Sequence, residues 1–178
     1  MPINNLLEIM SRLRDPINGC PWDVVQTFET IAPYTIEEAY EVREAISNND
    51  YDNLKDELGD LLLQVVFQSQ IAEESKLFCF EDVVESICTK MVKRHPHVFG
   101  SAKIRSADEQ LASWEDIKAK EREVQSENQT DSGSALSGVS VSYPALLRAE
   151  KLQRRAARVG FDWKKTEPVL NKLDEEVS

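Results

Sequence analysis

Glu37-Glu38-Ala39-Tyr40-Glu41 and Glu57-Leu58-Gly59-Asp60, the second running straight into Leu61-Leu62-Leu63-Gln64-Val65-Val66-Phe67, decide how this chain is read. Each acidic cluster sets two carboxylates three residues apart, Glu38 with Glu41 and Glu57 with Asp60, inside a segment of helical periodicity. Residues three apart share one helix face, with Cβ atoms about 5–6 Å from each other. Between the clusters, Asn48-Asn49-Asp50-Tyr51-Asp52 is turn chemistry that folds the second helix back on the first. Four carboxylates then converge from facing helices beside the most apolar run of the chain. Uncompensated charge at the edge of a core is costly, so the arrangement asks for cations.

Oxygen-only donors suit a hard divalent ion, Mg²⁺ or Mn²⁺. A di-iron bundle would carry Glu-x-x-His pairs, and no Glu here has a His three residues on. A solvated acidic face is the plainer reading. The matched spacing of the two pairs and the apolar run that follows Asp60 weigh against it. Gly59 leaves room for a close helix or for a ligand.

Working outward, residues 4–14 place Leu6, Leu7, Ile9, Met10 and Leu13 on a helical stripe, which should stop at Asp15-Pro16. A turn-rich loop, Asn18 to Asp23, follows. Thr27 to Ala32 reads as a short helix or turn, and Pro33 suits the first turn of a helix running to about Ser47. Asp52 is a possible N-cap for a long helix from Asn53 to about Lys76, apolar almost all round at Leu61–Phe67 like a central bundle helix. A fourth helix spans about Phe80 to Arg94, and a fifth, about Ala107 to Glu123, has only Leu111, Trp114 and Ile117 as large apolar members. The fold class is all-α, a bundle of about four to five helices.

Composition changes after residue 123. Val124 to Ser142 is rich in Ser, Gly, Asn and Gln and reads as a flexible linker. Beyond it come a basic helix, Pro144 to Val159, with Gly160 as its C-cap, and a further helix over Glu167–Val177. This C-terminal helical tail lacks an apolar core of its own.

At 178 residues with 41% apolar content, the chain suits one ordinary domain with a fragment of another. A formal charge of −11 argues against general nucleic-acid or membrane-surface binding. A small polyphosphate differs, because divalent ions bridge it to an acidic protein. Cys20, Cys79 and Cys88 show no C-x-x-C spacing, so three reduced, partly buried thiols are expected. The N-terminus does not read as a signal peptide, and the longest uncharged run, Leu61 to Ala72, is too short to span a bilayer. A cytoplasmic location is the expectation.

Lys93 and Arg94, within Lys90–His97, either terminate the fourth helix favourably or meet phosphate oxygens. His95 and His97 read as structural or phosphate-facing rather than as metal ligands, since His-x-His without a third partner is weak. Trp22 either caps the core or stacks on a base, and on residue type the core reading is preferred. No P-loop, G-x-S-x-G or Cys-His pair is present, which argues against a protein nucleophile.

Cys20-Pro21-Trp22-Asp23 with Gln26-Thr27, Glu37-Glu38-x-x-Glu41, Glu57-Leu58-Gly59-Asp60-Leu61-Leu62 and Arg94-His95-Pro96-His97-Val98-Phe99, in this order, resemble the MazG nucleoside triphosphate pyrophosphohydrolases. The likeness covers roughly residues 5–120 and 143–178. It implies an all-α bundle, a homodimer, and Mg²⁺-dependent hydrolysis of NTPs to NMP and pyrophosphate in the housekeeping removal of excess or non-standard nucleotides. By motif position, Glu38, Glu41, Glu57 and Asp60 become metal ligands. Glu37 joins Glu38 as a catalytic residue, assisting as an outer-shell group or by orienting water. Lys93 and Arg94 become phosphate contacts, and Trp22 and Gln26 nucleotide-pocket residues.

The likeness also divides the chain into a MazG-like domain over 1–123, a linker over 124–142 and the truncated start of a second MazG-like domain over 143–178. Glu150 to Trp163 resembles the opening of that second half, and Glu175-Glu176 the start of its acidic motif, whose third Glu would fall at position 179. A nucleotide-binding regulatory module with little turnover is therefore the competing expectation.

Overall fold

Thr27 and Asp50 each start one of the two longest helices delimited among the described residues of the molecule, described here from a computed structural model. The described residues are 2–101, 106–107, 109–110, 113–114, 117–118, 121, 134–163 and 165–178. Eight helices are delimited among them: α1 (Pro2–Leu13), α2 (Pro21–Val24), α3 (Phe28–Asn48), α4 (Tyr51–Glu74), α5 (Phe80–Arg94), α6 (Pro96–Phe99), α7 (Ala145–Arg158) and α8 (Thr166–Val177). No strand occurs among the described residues, so the all-α expectation holds.

α3 is one helix where the sequence reading expected a short element followed by a helix starting at Pro33. The Thr27 hydroxyl accepts from the Thr30 amide, and the Thr30 hydroxyl accepts from the Thr27 amide at 2.8 Å, a reciprocal cap that starts the helix ahead of the proline. Pro33 then sits inside the helix, where it removes one backbone donor but causes no break. At the other end Asn49 closes α3 in the left-handed region (φ 55°), which asparagine tolerates. Asp50, not Asp52, caps α4, its carboxylate accepting from the Asn53 amide at 3.1 Å. Only Asn49 and Asp50 separate α3 from α4, so the pair forms an antiparallel hairpin.

By contacts the chain divides into Met1–Ser101 and Ala102–Ser178. In the first unit α4 is central and packs against α1, α3 and α5. Met10, Ile31, Val66, Phe67 and Ile71 form the buried cluster, with Ile3, Leu6, Leu7, Phe28, Leu63 and Phe80 packed around it. Burying each such side chain is worth about 1.5–3 kcal/mol.

The expectation of a helix enclosed all round fails within one chain. Leu58, Leu62 and Val65 on α4 remain exposed, as do Ile36, Tyr40 and Ile46 on α3. The thiol expectation needs a correction as well: Cys20 and Cys79 are half-buried, whereas Cys88 is exposed.

In the second unit α7 and α8 follow the expected ranges closely, and Gly160 after α7 takes a positive φ of 84°. Neither helix buries a residue fully. Within the expected fifth helix the described positions from Ala107 to Glu121 are helical, while Leu111 lies outside the described residues. The same applies to residues 124–133 of the expected linker.

Candidate metal centre

The i, i+3 register of Glu38 and Glu41 on α3 aims both side chains across the hairpin at α4. There Glu57 meets them: one carboxylate oxygen from each of Glu38, Glu41 and Glu57 lies within 4.8 Å of the other two. Asp60, exposed and three residues along α4 from Glu57, stands outside that set, yet its charge acts on both Glu38 and Glu57. Glu37 is exposed and is not one of the converging three.

The electrostatics are those of a site that lacks a counter-charge. Among the described residues no cation forms an ion pair with Glu38, Glu41, Glu57 or Asp60. Partial desolvation pushes the Glu38 carboxyl above its ordinary value, assisted by its hydrogen bond with Glu41 and by repulsion from Glu41, Asp60 and Glu57. Glu57 is raised likewise, first by desolvation and then by the Glu41 charge. Crowded oxygen donors without a fixed cation fit Mg²⁺ or Mn²⁺, and the absence of His or Cys in the set disfavours softer metals.

One turn before Glu38 on α3 stands Tyr34, whose ring meets Trp22 edge-on, centroids 6.0 Å apart at 76°. Trp22 also meets Phe67 edge-on at 6.4 Å. Trp22 is 50% exposed while its ring meets the buried Phe67, so the core reading holds in part: the side chain caps the core and half of the residue stays open. Gln26 Nε2 donates to the Trp22 carbonyl at 2.8 Å, tying the two expected pocket residues together. Lys93 and Arg94 occupy the last turn of α5, on a helix packed against α4, where their charge also favours the helix C-terminus.

Arg14 was missed by the sequence reading. Its Nε donates to Glu74 Oε1 at 2.9 Å and its Nη2 to Oε2 at 2.7 Å, a bidentate pair joining the end of α1 to the end of α4. Nη1 donates to the Asp23 and Gln26 carbonyls at 2.5 and 3.2 Å, and the guanidinium lies 5.3 Å from the Phe67 ring centroid. Arg14 thus fixes the segment that carries Trp22 and Gln26. The preceding loop is held equally tightly. A Cβ at Gly19 would sit 2.4 Å from both the Leu13 and Asp15 carbonyl oxygens, and Asp15 accepts from the Ile17 and Asn18 amides at 3.0 and 2.6 Å.

Residues 26–99 match the family model of the MazG nucleotide pyrophosphohydrolase domain. The chain is 52% identical over 175 residues to the nucleoside triphosphate pyrophosphohydrolase of Escherichia coli (strain K12), covering 98% of this chain and 65% of that protein. It is 45% identical over 172 residues to the nucleoside triphosphate pyrophosphohydrolase/pyrophosphatase MazG of Thermotoga maritima, covering 97% of this chain and 63% of that one. Among solved structures, a mazG-related protein from Thermotoga maritima aligns with a TM-score of 0.54 at 32% identity, over 65% of this chain and 98% of the other. This chain therefore spans just under two thirds of the length of the two full pyrophosphohydrolases.

Proposed function

Because the chain belongs to the MazG nucleotide pyrophosphohydrolase family, we propose that it hydrolyses nucleoside triphosphates to the monophosphate and pyrophosphate. The convergence of Glu38, Glu41 and Glu57 with no paired cation carries the reading. Glu38, Glu41, Glu57 and Asp60 would hold Mg²⁺, with Mn²⁺ as a substitute. The ion, when bound, neutralises polyphosphate charge and polarises the phosphoryl group under attack.

The chain's own residues do the rest. Trp22, with Tyr34 against its edge, offers an open indole surface to a base, a contact worth about 1–3 kcal/mol. The Gln26 side-chain nitrogen donates to the Trp22 carbonyl, which leaves its amide oxygen as the acceptor for a nucleotide. Glu37 and Glu38 orient the attacking water. Its oxygen forms a bond to phosphorus, the α–β bridge breaks, pyrophosphate leaves and the proton passes to a carboxylate and on to solvent. Lys93 and Arg94 meet phosphate oxygens, where the arginine fork suits two of them at once. No covalent intermediate is needed, as positioning and charge stabilisation dominate such transfers.

The wider reading assigns residues 1–123 to the catalytic domain and 143–178 to a second MazG-like domain. The exposed apolar residues Ile36, Tyr40, Leu58, Leu62 and Val65 on the α3–α4 hairpin support a homodimer, since a second copy would cover them. No described helix is long and apolar enough to cross a membrane, and the three free thiols suit a reducing, cytoplasmic setting. A nucleotide-binding module with little turnover is the second reading, supported by the half-exposed Trp22, which can take a base whether or not a bond is then cleaved.

Chromatography of a panel of NTPs and dNTPs incubated with the purified chain, with Mg²⁺ and with EDTA, separates the two. Mg²⁺-dependent monophosphate plus pyrophosphate is expected. Diphosphate plus phosphate would overturn the choice of bond, and bound but intact nucleotide would favour the binding module.

A further inference from the structure

In a chain of net charge −11, the second unit contains a cavity of about 200 Å³ whose described charged lining is entirely basic: Lys118, Lys151, Arg154, Arg155 and Arg158. Four of these fall at i, i+3, i+4 and i+7 of α7, one stripe of that helix. Lys151–Arg155 and Arg154–Arg158 are like-charge i, i+4 pairs, a spacing that destabilises a bare helix. Completing the last turn of α7 accounts for Arg155 and Arg158, but not for Lys151 or Arg154.

The cations are also held in place. Arg155 donates from Nη1 to the Ser137 and Leu136 carbonyls and from Nη2 to that of Gly138 at 3.3 Å, drawing the loop that supplies Gly138 and Val139 over the cavity. Lys151 Nζ lies 5.1 Å from the Tyr143 ring centroid, and Tyr143 lines the same cavity. On the same stripe Glu150 and Arg154 form an open pair, with side chains 52% and 74% exposed. Such a pair is weak and readily exchanged for a better acceptor.

We propose that this pocket binds a small inorganic phosphoanion, pyrophosphate in particular, through Lys151, Arg154 and Arg158 of α7 together with Lys118, with Arg155 shaping the loop wall. Size sets the ligand class. Clefts for whole drug-sized ligands run to about 300–1,000 Å³, so about 200 Å³ takes a phosphate chain without its nucleoside. Multiple Lys and Arg donors on a stripe match several anionic oxygens better than they match a single carboxylate. The site uses no carboxylate ligand and needs no divalent ion, so it stands apart from the candidate metal centre and does not depend on the catalytic reading.

Calorimetric titration of the full chain with sodium pyrophosphate in EDTA at low salt tests this, because without a divalent ion the acidic cluster repels the ligand. Saturable binding that weakens as salt rises is expected. It should fall about tenfold or more in the Lys151→Gln/Arg158→Gln variant, which loses two charge-assisted contacts, and persist in Glu38→Gln. Lys118→Gln, outside α7, should weaken it severalfold, and Lys151→Arg should retain it, which separates lost charge from a damaged helix. No saturable binding in EDTA, equal affinity in the Gln variants, or loss of binding in Glu38→Gln would each overturn the proposal.

Discussion

Replacing Arg14 with Met keeps the aliphatic stem but removes the guanidinium that ties α1, α4 and the Asp23–Gln26 segment together. Breaking a buried pair from one side costs about 3–5 kcal/mol. Here the Arg14 side chain is 6% exposed but that of Glu74 is 37% exposed, so water recovers much of the orphaned carboxylate and the electrostatic loss is discounted. Two backbone carbonyls also lose their donor, at about 1 kcal/mol each. The total is about 3 kcal/mol, or a fall in Tm of about 6–12 °C for a chain of this size.

Glu74→Gln should cost only about 1 kcal/mol, since Arg14 keeps its carbonyl and ring contacts. The double-mutant coupling between the two should be about 1–2 kcal/mol. Urea unfolding followed by circular dichroism gives all four stabilities, and tryptophan emission reports whether Trp22 loses its seat. An Arg14→Met variant within about 1 kcal/mol of wild type, or a coupling within about 0.3 kcal/mol of zero, would refute the assigned role.

Mg²⁺ or Mn²⁺ at tenfold its Kd should stabilise the chain by about 1.4 kcal/mol, and thermal scans of Glu38→Gln and Glu57→Gln should show that gain reduced or lost. The raised Glu38 and Glu57 carboxyls set this cluster's own share of the pH response of the metal-free protein. Their contribution to stability is fully present below the ordinary carboxyl value of about 4.5 and is lost as pH rises through the higher folded values. In EDTA, denaturation from about pH 4.5 upward should therefore show wild type losing more stability than Glu38→Gln/Glu57→Gln, and parallel curves would contradict the cluster. A Cβ at Gly59 meets nothing within 4 Å in this chain, so Gly59→Ala should add about 1 kcal/mol of helix stability to the monomer. If light scattering shows the variant losing self-association, Gly59 faces the second copy.

The acidic pairs were legible in the sequence because the geometry that makes them neighbours is local, three residues on each helix and a short turn between. Helix bounds at α5 were legible for the same reason, with Pro96 marking the stop. α3 was misjudged because a proline was given the role that a threonine pair performs: Thr27 and Thr30 cap each other, without the Glu or Gln that usually signals such a box. Arg14 was not legible at all. Its carboxylate partner is 60 residues away, and its other hydrogen-bond partners are backbone carbonyls, which leave no trace in residue type. The apolar spacing of Ile36 and Tyr40 and the apolar run through Leu62 mark faces that this chain leaves exposed, because periodicity identifies an apolar face without saying what packs on it.

The two-residue link between α3 and α4 also bears on how the protein folds. Glu38 and Glu57 are close in sequence, and joining them requires closure of one short loop, a small entropic cost paid early. The mutual repulsion of the carboxylates is therefore met while the hairpin is forming rather than after the rest of the chain has assembled. A divalent cation held by these carboxylates would relieve the repulsion and so speed folding as well as slow unfolding, which would make the ion an assembly factor for the helix pair that receives it.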